Sequence, residues 1–447
     1  MSLKLERLPV IFGFGKGGRD HDDDDDDEEE DELDFILFKG AMNENNPDLS
    51  ANGRLVQAGL IPAKKLISEA LARRADTIRV EPKGKVAAVS YLVDGVPYPA
   101  AKMPPKAANA VIQMLKLLAG LDITDKTSKQ SGGINAEFDE VDHEVRIDVS
   151  PVKTGGERLL VRVQNLKEKL ETPSDLGFSD DLQQKIREIG SSKTGLMLAV
   201  GMPMSGTTTL TIAMIRGIDP YLYSLASIAD MHGRDLPHIQ DFKWNEGDDL
   251  EATIKRTVRS DIDVLFVDPI NSAEEMKVVL EGAASQAFIS EIPARDAADG
   301  IARVVALTKD PKLVTAGLRL VISQKLVRLL CRKCRHAYRP NPKLLSKVGL
   351  PKETRKLYRA PRLDEEDDEE EDVCDNCGGT GYRGRIGLIE MIELTDDIKK
   401  LILAGADAAA LRKKAREAGM QSFQSDGIRL VAEGKTSLEE LQRAFRA

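Results

Sequence analysis

At 447 residues the chain is long enough for two to four domains, and its hydrophobic content of 41% can build their cores. Aromatic residues make up only 4%, which argues against a sugar-binding or base-stacking surface. The net charge of −10 hides two acidic runs, eleven residues at Asp22–Glu32 and nine at Asp364–Asp372, without which 64 basic residues face 54 acidic ones.

The pattern along the chain predicts the following organisation. Residues 1–57 read as a flexible, acidic N-terminal region in which LDFILF is a candidate strand. Like charges repel one another, so each acidic run reads as a solvated linker; a docking tail for a basic partner is the alternative. The first residues are too short and mixed for a signal peptide. No apolar stretch approaches the roughly 20 residues that span a membrane, so a cytoplasmic chain is expected, one that meets the membrane only through partners. Residues 58–170 read as an α+β module. It holds the helix LIPAKKLISEALARRA, strands TIRVEP and VAAVSYLVDG with a hairpin at Asp-Gly, the helix PKAANAVIQMLKLLAGL, and three more strands. ETPSDLGFSDDL (171–182) reads as a linker. From 183 to 330 strands alternate with helices, the pattern of a parallel α/β sheet: LMLAV, SLASIAD, DVLFVD and AFISEI are the strands. The tail, 391–447, reads as helical.

Between LMLAV and a helix opening in threonines stands GMPMSGTTTL, 201–210. This is the layout of a phosphate-binding P-loop, G-x-x-x-x-G-K-[ST]. Gly201 and Gly206 are at the right spacing, and Ser205, Gly206, Thr207 and Thr208 complete the candidate nucleotide-binding set. The lysine is missing: either Thr207 replaces it, or it is deleted and TTTL follows directly. A hydroxyl can hydrogen-bond a phosphate but cannot neutralise it. DVLFVD ends in Asp268, the layout of a Walker B strand whose acid faces Mg²⁺. Met202 and Met204 read as hydrophobic filler, with their side chains buried in the loop.

Four cysteines, Cys331, Cys334, Cys374 and Cys377, form two CxxC pairs. In a chain with no export signal such pairs point to a structural, four-thiolate zinc site rather than to disulfides. The insert between the pairs contains the second acidic run and is expected to loop out (residues 335–373), giving a zinc-binding module at 331–390. His143, His232, His238 and His336 lack metal-like pairing, and Trp244 reads as packing or surface.

From about residue 58 onward the chain resembles the type II secretion and type IV pilus assembly ATPases, the general secretion pathway protein E family. The stretches that carry the resemblance include RRADTIRVEP, LLAGLDIT, GGERLLVR, IKRTVRSDIDVLFVD, SQKLVRLLC, GYRGRIGLIEMIELTDDIKKLI and MQSFQSDGIRLVAEGKTSLEEL. The resemblance implies an α/β fold: a RecA-like P-loop core, preceded by an α+β (PAS-like) N-terminal domain and followed by a four-cysteine zinc module and a C-terminal helical segment. It implies a ring of six subunits, homomeric or mixed with paralogues, that binds ATP or ADP with Mg²⁺. Its partners would be the cytoplasmic parts of inner-membrane platform proteins, and no nucleic acid is expected.

Set against the family pattern, several chemical stations are altered. The family's Walker B strand ends in Gly-Glu, and here those places hold Asp268 and Pro269. An acidic box that is Glu-Asp in the family reads Ala229-Asp230. Pro293 takes the place of a histidine, and Leu92 and Gly133 take the places of two interface arginines, while Arg259 is kept. Asp230, Asp268 and Arg259 are thus the remaining, degenerate catalytic candidates. Losing one preorganised group from such a site costs about 10²–10³ in rate. The expectation is therefore a pseudo-ATPase acting as a structural or regulatory subunit, with weak nucleotide binding. A divergent but active ATP-hydrolysing motor is the alternative, and a nucleic-acid-binding zinc knuckle is a third reading that the acidic insert opposes.

Overall fold

The computed structural model describes residues 35–153, 155–167, 172–229, 238–241, 249–258, 261–270, 272–351, 353–361 and 374–446. Asp230, His232, Trp244, Arg259 and both acidic runs lie outside the described residues. The chain divides into two compact units, Met1–Lys169 and Leu170–Ala447. Among the described residues no helix is long and apolar enough to cross a membrane.

In the first unit the elements are β1 (Leu37–Ala41), α1 (Gly53–Ala72), β2 (Ala75–Lys83), β3 (Val86–Val93), β4 (Val96–Met103), α2 (Pro105–Leu118), β5 (Gln130–Phe138), β6 (Val141–Pro151) and β7 (Glu157–Asn165). The strands form one antiparallel sheet in the order β1-β5-β6-β7-β2-β3-β4. Alternation sorts their side chains: Ile78, Val80, Val145, Ile147, Val149, Leu159 and Val161 are sealed on one face together with Ile67 of α1 and Met114 of α2. Polar residues alternate with them, as expected of a sheet covered on one side. The helices touch closely at Gly59, where a β-carbon would come within 2.6 Å of the Ala110 carbonyl oxygen. Among the described residues, the candidate strand LDFILF supplies the first two residues of β1. Within the region expected to be flexible, β1 pairs with β5 (Phe38 opposite Ala136) and α1 already starts at Gly53.

Unit two contains α3 (Asp180–Ser191), β8 (Gly195–Gly201), α4 (Thr207–Arg216), β9 (Leu225–Ala229), β10 (Ile239–Asp241), α5 (Leu250–Val258), β11 (Val264–Asp268), α6 (Ala273–Gly282), β12 (Ala287–Pro293), α7 (Ala297–Thr308), α8 (Pro311–Gly317) and β13 (Leu318–Leu330). It continues with β14 (His336–Tyr338), α9 (Pro342–Val348), β15 (Leu357–Arg359), β16 (Tyr382–Glu393), α10 (Asp396–Leu403), α11 (Ala408–Glu417), α12 (Phe423–Ala432) and α13 (Leu438–Arg446). Its main sheet runs β10-β9-β11-β12-β8-β13-β16, parallel except for β16, which pairs antiparallel with β13.

Every residue of β8 is buried, because helices cover both faces of the sheet. Leu196, Leu198 and Val200 pack with α5–α8, α10 and α11, whereas Met197 and Ala199 pack with α3 and α4. A third cluster joins Val327, Leu345, Leu357 and Leu388 to Phe423, Leu430 and Leu441 of the last helices. There Arg328 binds Glu440 at 2.8 Å, fixing α13 to the end of β13. The insert between the cysteine pairs does not simply loop out: β14, α9 and β15 are folded within it, with His336 opposite Arg359.

Candidate nucleotide loop and metal centre

Strand β8 leads straight into the 201–206 loop, and α4 leaves it. In open α/β sheets ligands bind beyond the carboxyl ends of the strands, where neighbouring connections diverge. Here β12 and β13 flank β8, so the loop occupies such a place. Gly206 caps α4 with φ of 81°, a left-handed conformation that glycine adopts without strain. Met204 is also left-handed at φ 68°. Gln324 of β13 clamps the turn from below, its Nε2 donating to the carbonyl oxygens of Ser205 (3.0 Å) and Gly206 (3.1 Å).

Thr207, which follows Gly206 directly, turns its hydroxyl back into the loop. Its Oγ1 lies 2.8 Å from Ser205 Oγ, and both oxygens crowd the position a β-carbon on Gly201 would take. The methionines do not fill this space: Met202 is 48% and Met204 50% exposed, contrary to the sequence expectation. The two hydroxyls occupy the interior and leave the methionine side chains outside.

A residue that sequence reasoning did not single out stands over the first turn of α4. Glu291 of β12 accepts hydrogen bonds from Thr208 Oγ1 (3.2 Å) and Thr211 Oγ1 (2.8 Å). Its only signal in the sequence is one acid in the apolar strand AFISEIP. Two positions on, Pro293 lies opposite Gly201, so a ring with no donor stands where the resemblance implies a histidine. Asp268 is the last residue of β11, opposite Ala229. Val267 pairs with Ser290, so Asp268 and Glu291 follow on adjoining strands at the carboxyl edge of the sheet.

In the first unit the two positions where the resemblance implies interface arginines are closed. Leu92 is 3% exposed within β3, and Met42 packs directly over Gly133. Any side chain at 133 would have to displace that methionine.

The four cysteine sulfurs lie within 4.8 Å of one another, with Cys331–Cys374 at 4.0 Å and Cys334–Cys377 at 3.6 Å. A tetrahedron of four Zn–S bonds has edges of about 3.8 Å, so the set fits a tetrahedral ion. Backbone turns aim both knuckles: Arg335 N donates to Cys331 O, and Gly378 N donates to Cys374 O at 2.8 Å. Lys333 and Asp375 bridge the knuckles at 2.9 Å. Burial raises the Cys331 thiol, but the Asn376 amide (3.1 Å) and the amides of Cys334 and Lys333 outweigh it and hold it at about 6. Burial and the neighbouring sulfurs push Cys334 upward, and burial does the same to Cys377. Four such thiols ionise together only around a cation. His336 is exposed on β14 and is not part of this group.

A profile of the Type II/IV secretion system protein family matches residues 56–443. The type IV pilus assembly ATPase PilB of Thermus thermophilus is 29% identical over 384 residues, which are 85% of this chain and 42% of that protein. The type II secretion system protein HxcR of Pseudomonas aeruginosa is 28% identical over 389 residues, covering 85% of this chain and 76% of the relative. This chain therefore spans less than half the length of the Thermus protein. In fold alone it is similar to the Legionella pneumophila ATPase DotB (TM-score 0.53, 13% identity, covering 86% of this chain and 94% of that one). The pilus retraction motor PilT with bound ADP is comparable (TM-score 0.50, 19% identity, 85% and 96% covered). Since the profile match runs through both units, the chain belongs to the type II/IV secretion system protein family.

Proposed function

We propose that this chain is a structural or regulatory subunit of a cytoplasmic secretion or pilus-assembly motor ring, with a nucleotide site that does not turn over. The observation that carries this reading is the state of the loop. Thr207 stands in the lysine place with its hydroxyl tied to Ser205, and the charged group on the first turn of α4 is the Glu291 carboxylate. Phosphoryl transfer depends on positioning and on neutralising charge, and this loop contributes hydroxyls and a negative group.

Other features support the reading. The names of the relatives place them in pilus assembly and type II secretion. The reading includes a six-membered ring, homomeric or mixed with paralogues, docked on inner-membrane platform proteins, as the resemblance implies. The four cysteines would hold a structural zinc ion. Its chemistry would be cross-linking alone, since all four positions are taken by protein.

A steady-state phosphate-release assay with Mg-ATP on the full chain tests the proposal. The expected result is background release, unchanged in the Thr208→Ala/Asp268→Ala double variant. Turnover that disappears in that variant would establish the alternative, a divergent working motor.

A further inference from the structure

We propose that Glu291 is an internal anion that keeps phosphate out of the 201–208 loop, so that the site rejects metal-free nucleotide. The inference rests on reading this loop as a phosphate cradle, but not on whether turnover has been lost.

The argument begins with what a helix N-terminus offers. The first amides of α4 have no acceptor within the helix, its opening residues carry hydroxyls, and such a terminus attracts anions. Here an anion from the chain itself has arrived. Glu291 takes both Thr208 Oγ1 and Thr211 Oγ1, at 3.2 and 2.8 Å, one with each carboxylate oxygen. In a working P-loop the equivalent threonine hydroxyl faces the magnesium ion and its phosphates.

The sheet sets where Glu291 stands. Glu291 sits on β12, an inner strand paired on one side with β8 and on the other with β11, and its partner in register is Ala199. The strand fixes the backbone from which the carboxylate reaches the first turn of α4. The remainder of the cradle is also satisfied internally. Ser205 and Thr207 hydroxyls bond each other over Gly201, and Gln324 holds the carbonyls of Ser205 and Gly206. Asp268 on the adjoining strand adds a second acid to the same edge. The 201–208 loop itself contains no lysine or arginine.

An incoming phosphate about 4 Å from Glu291 therefore meets like charge, and in a partly screened surface setting the repulsion is worth a tenfold or larger loss of affinity. A divalent cation shared between Glu291, Thr208 and the phosphates would relieve it. The result is a site whose response to nucleotide depends on metal more steeply than the bare loop would.

Calorimetric titration of ADP into the full chain, with EDTA and then with MgCl2, tests this, using wild type, Glu291→Gln and Glu291→Thr. Glutamine keeps an oxygen for the threonine hydroxyls, threonine suits a strand, and thermal melts verify that both variants are folded. In EDTA both variants should bind ADP at least about tenfold more tightly than wild type, and the gap should narrow with Mg²⁺. Equal affinities in EDTA overturn the proposal, as do weaker binding by the variants or undetectable binding by all three proteins. Phosphate release by the wild type would instead overturn the reading of the site as inactive and leave the binding comparison intact.

Discussion

Lys116 and Glu157 form an ion pair sealed inside the first unit, Nζ to Oε1 at 3.0 Å, with side-chain exposures of 0% and 3%. Lys116 also donates to the Asp125 carbonyl at 2.6 Å, and Gln113 Nε2 donates to the second Glu157 oxygen at 2.6 Å. The pair thus ties α2, the start of β7 and the 119–129 connection together. Removing one partner leaves a buried charge alone, at a cost of about 3–5 kcal/mol, whereas replacing both by apolar groups is often neutral. Glu157→Ala should therefore destabilise the unit by about that amount, and Lys116→Met with Glu157→Leu should recover most of the loss. Urea denaturation is the check. A single variant costing under about 1 kcal/mol would show that the pair is not the clip described here.

The metal centre makes a second prediction. Cys331 follows β13 and Cys377 precedes β16, so an ion held there fastens the ends of two paired strands. Purified protein should carry about one zinc ion per chain, as a four-thiolate set implies. Cys331→Ser or prolonged chelation should remove it and lower the melting temperature, because binding energy at such a site is folding energy. Elemental analysis with thermal melts decides it; full zinc content in Cys331→Ser would contradict the assignment.

Much of the second unit was legible because central strands of a parallel sheet read as unbroken apolar runs. LMLAV, DVLFVD and AFISEI fall on β8, β11 and β12. The Asp94-Gly95 turn was legible as well, both residues being left-handed at φ 52° and 77°. The turn at Asp139-Glu140, between β5 and β6, is likewise left-handed at both residues without glycine, φ 52° and 56°, and gave no comparable signal. β1 was partly legible, since the candidate strand LDFILF supplies its first two residues, Leu37 and Phe38, but its pairing with β5 lies almost 100 residues away in the sequence. Glu291 was missed for a related reason. Its significance is a contact across 83 residues with Thr208, and no local period encodes that. The methionines misled because apolar side chains in a loop suggest burial, while two small hydroxyls already filled the space.

Restoring the ammonium separates binding from catalysis. Thr207→Lys places a cation where the loop has a hydroxyl, and a charge-assisted hydrogen bond contributes about 1.5–3 kcal/mol. Mg-ATP affinity should rise about tenfold or more. Turnover should stay at background, because Pro293, opposite Gly201, still offers no donor there. Parallel titration and phosphate-release measurements give the answer. Rapid hydrolysis in this single variant would mean that the lysine alone was lacking.

Glu390 gives a pH dependence of definite sign. It is 5% exposed on β16 and accepts from the Ala297 amide at 3.1 Å, where α7 begins. Burial raises its pKa and the Asp296 carboxylate raises it further; the Ala297 amide, Arg412 and the Phe423 amide only partly offset them. Arg412 is itself engaged with Asp296 at 2.6 Å. In the folded state Glu390 therefore holds its proton to higher pH than in the unfolded chain, where about 4.5 is ordinary. Between those two values the folded state binds more protons, so stability falls as pH rises. The contribution is complete below about 4.5 and lost as pH climbs through the raised value. Glu390→Gln keeps an acceptor for Ala297 and removes the titration. Its melting temperature should match wild type in acid and exceed it by on the order of 2–4 °C per kcal/mol at neutral pH. A difference that stays flat from pH 5 to 8 would show that Glu390 is already charged in the fold, the Ala297 amide and Arg412 outweighing its burial.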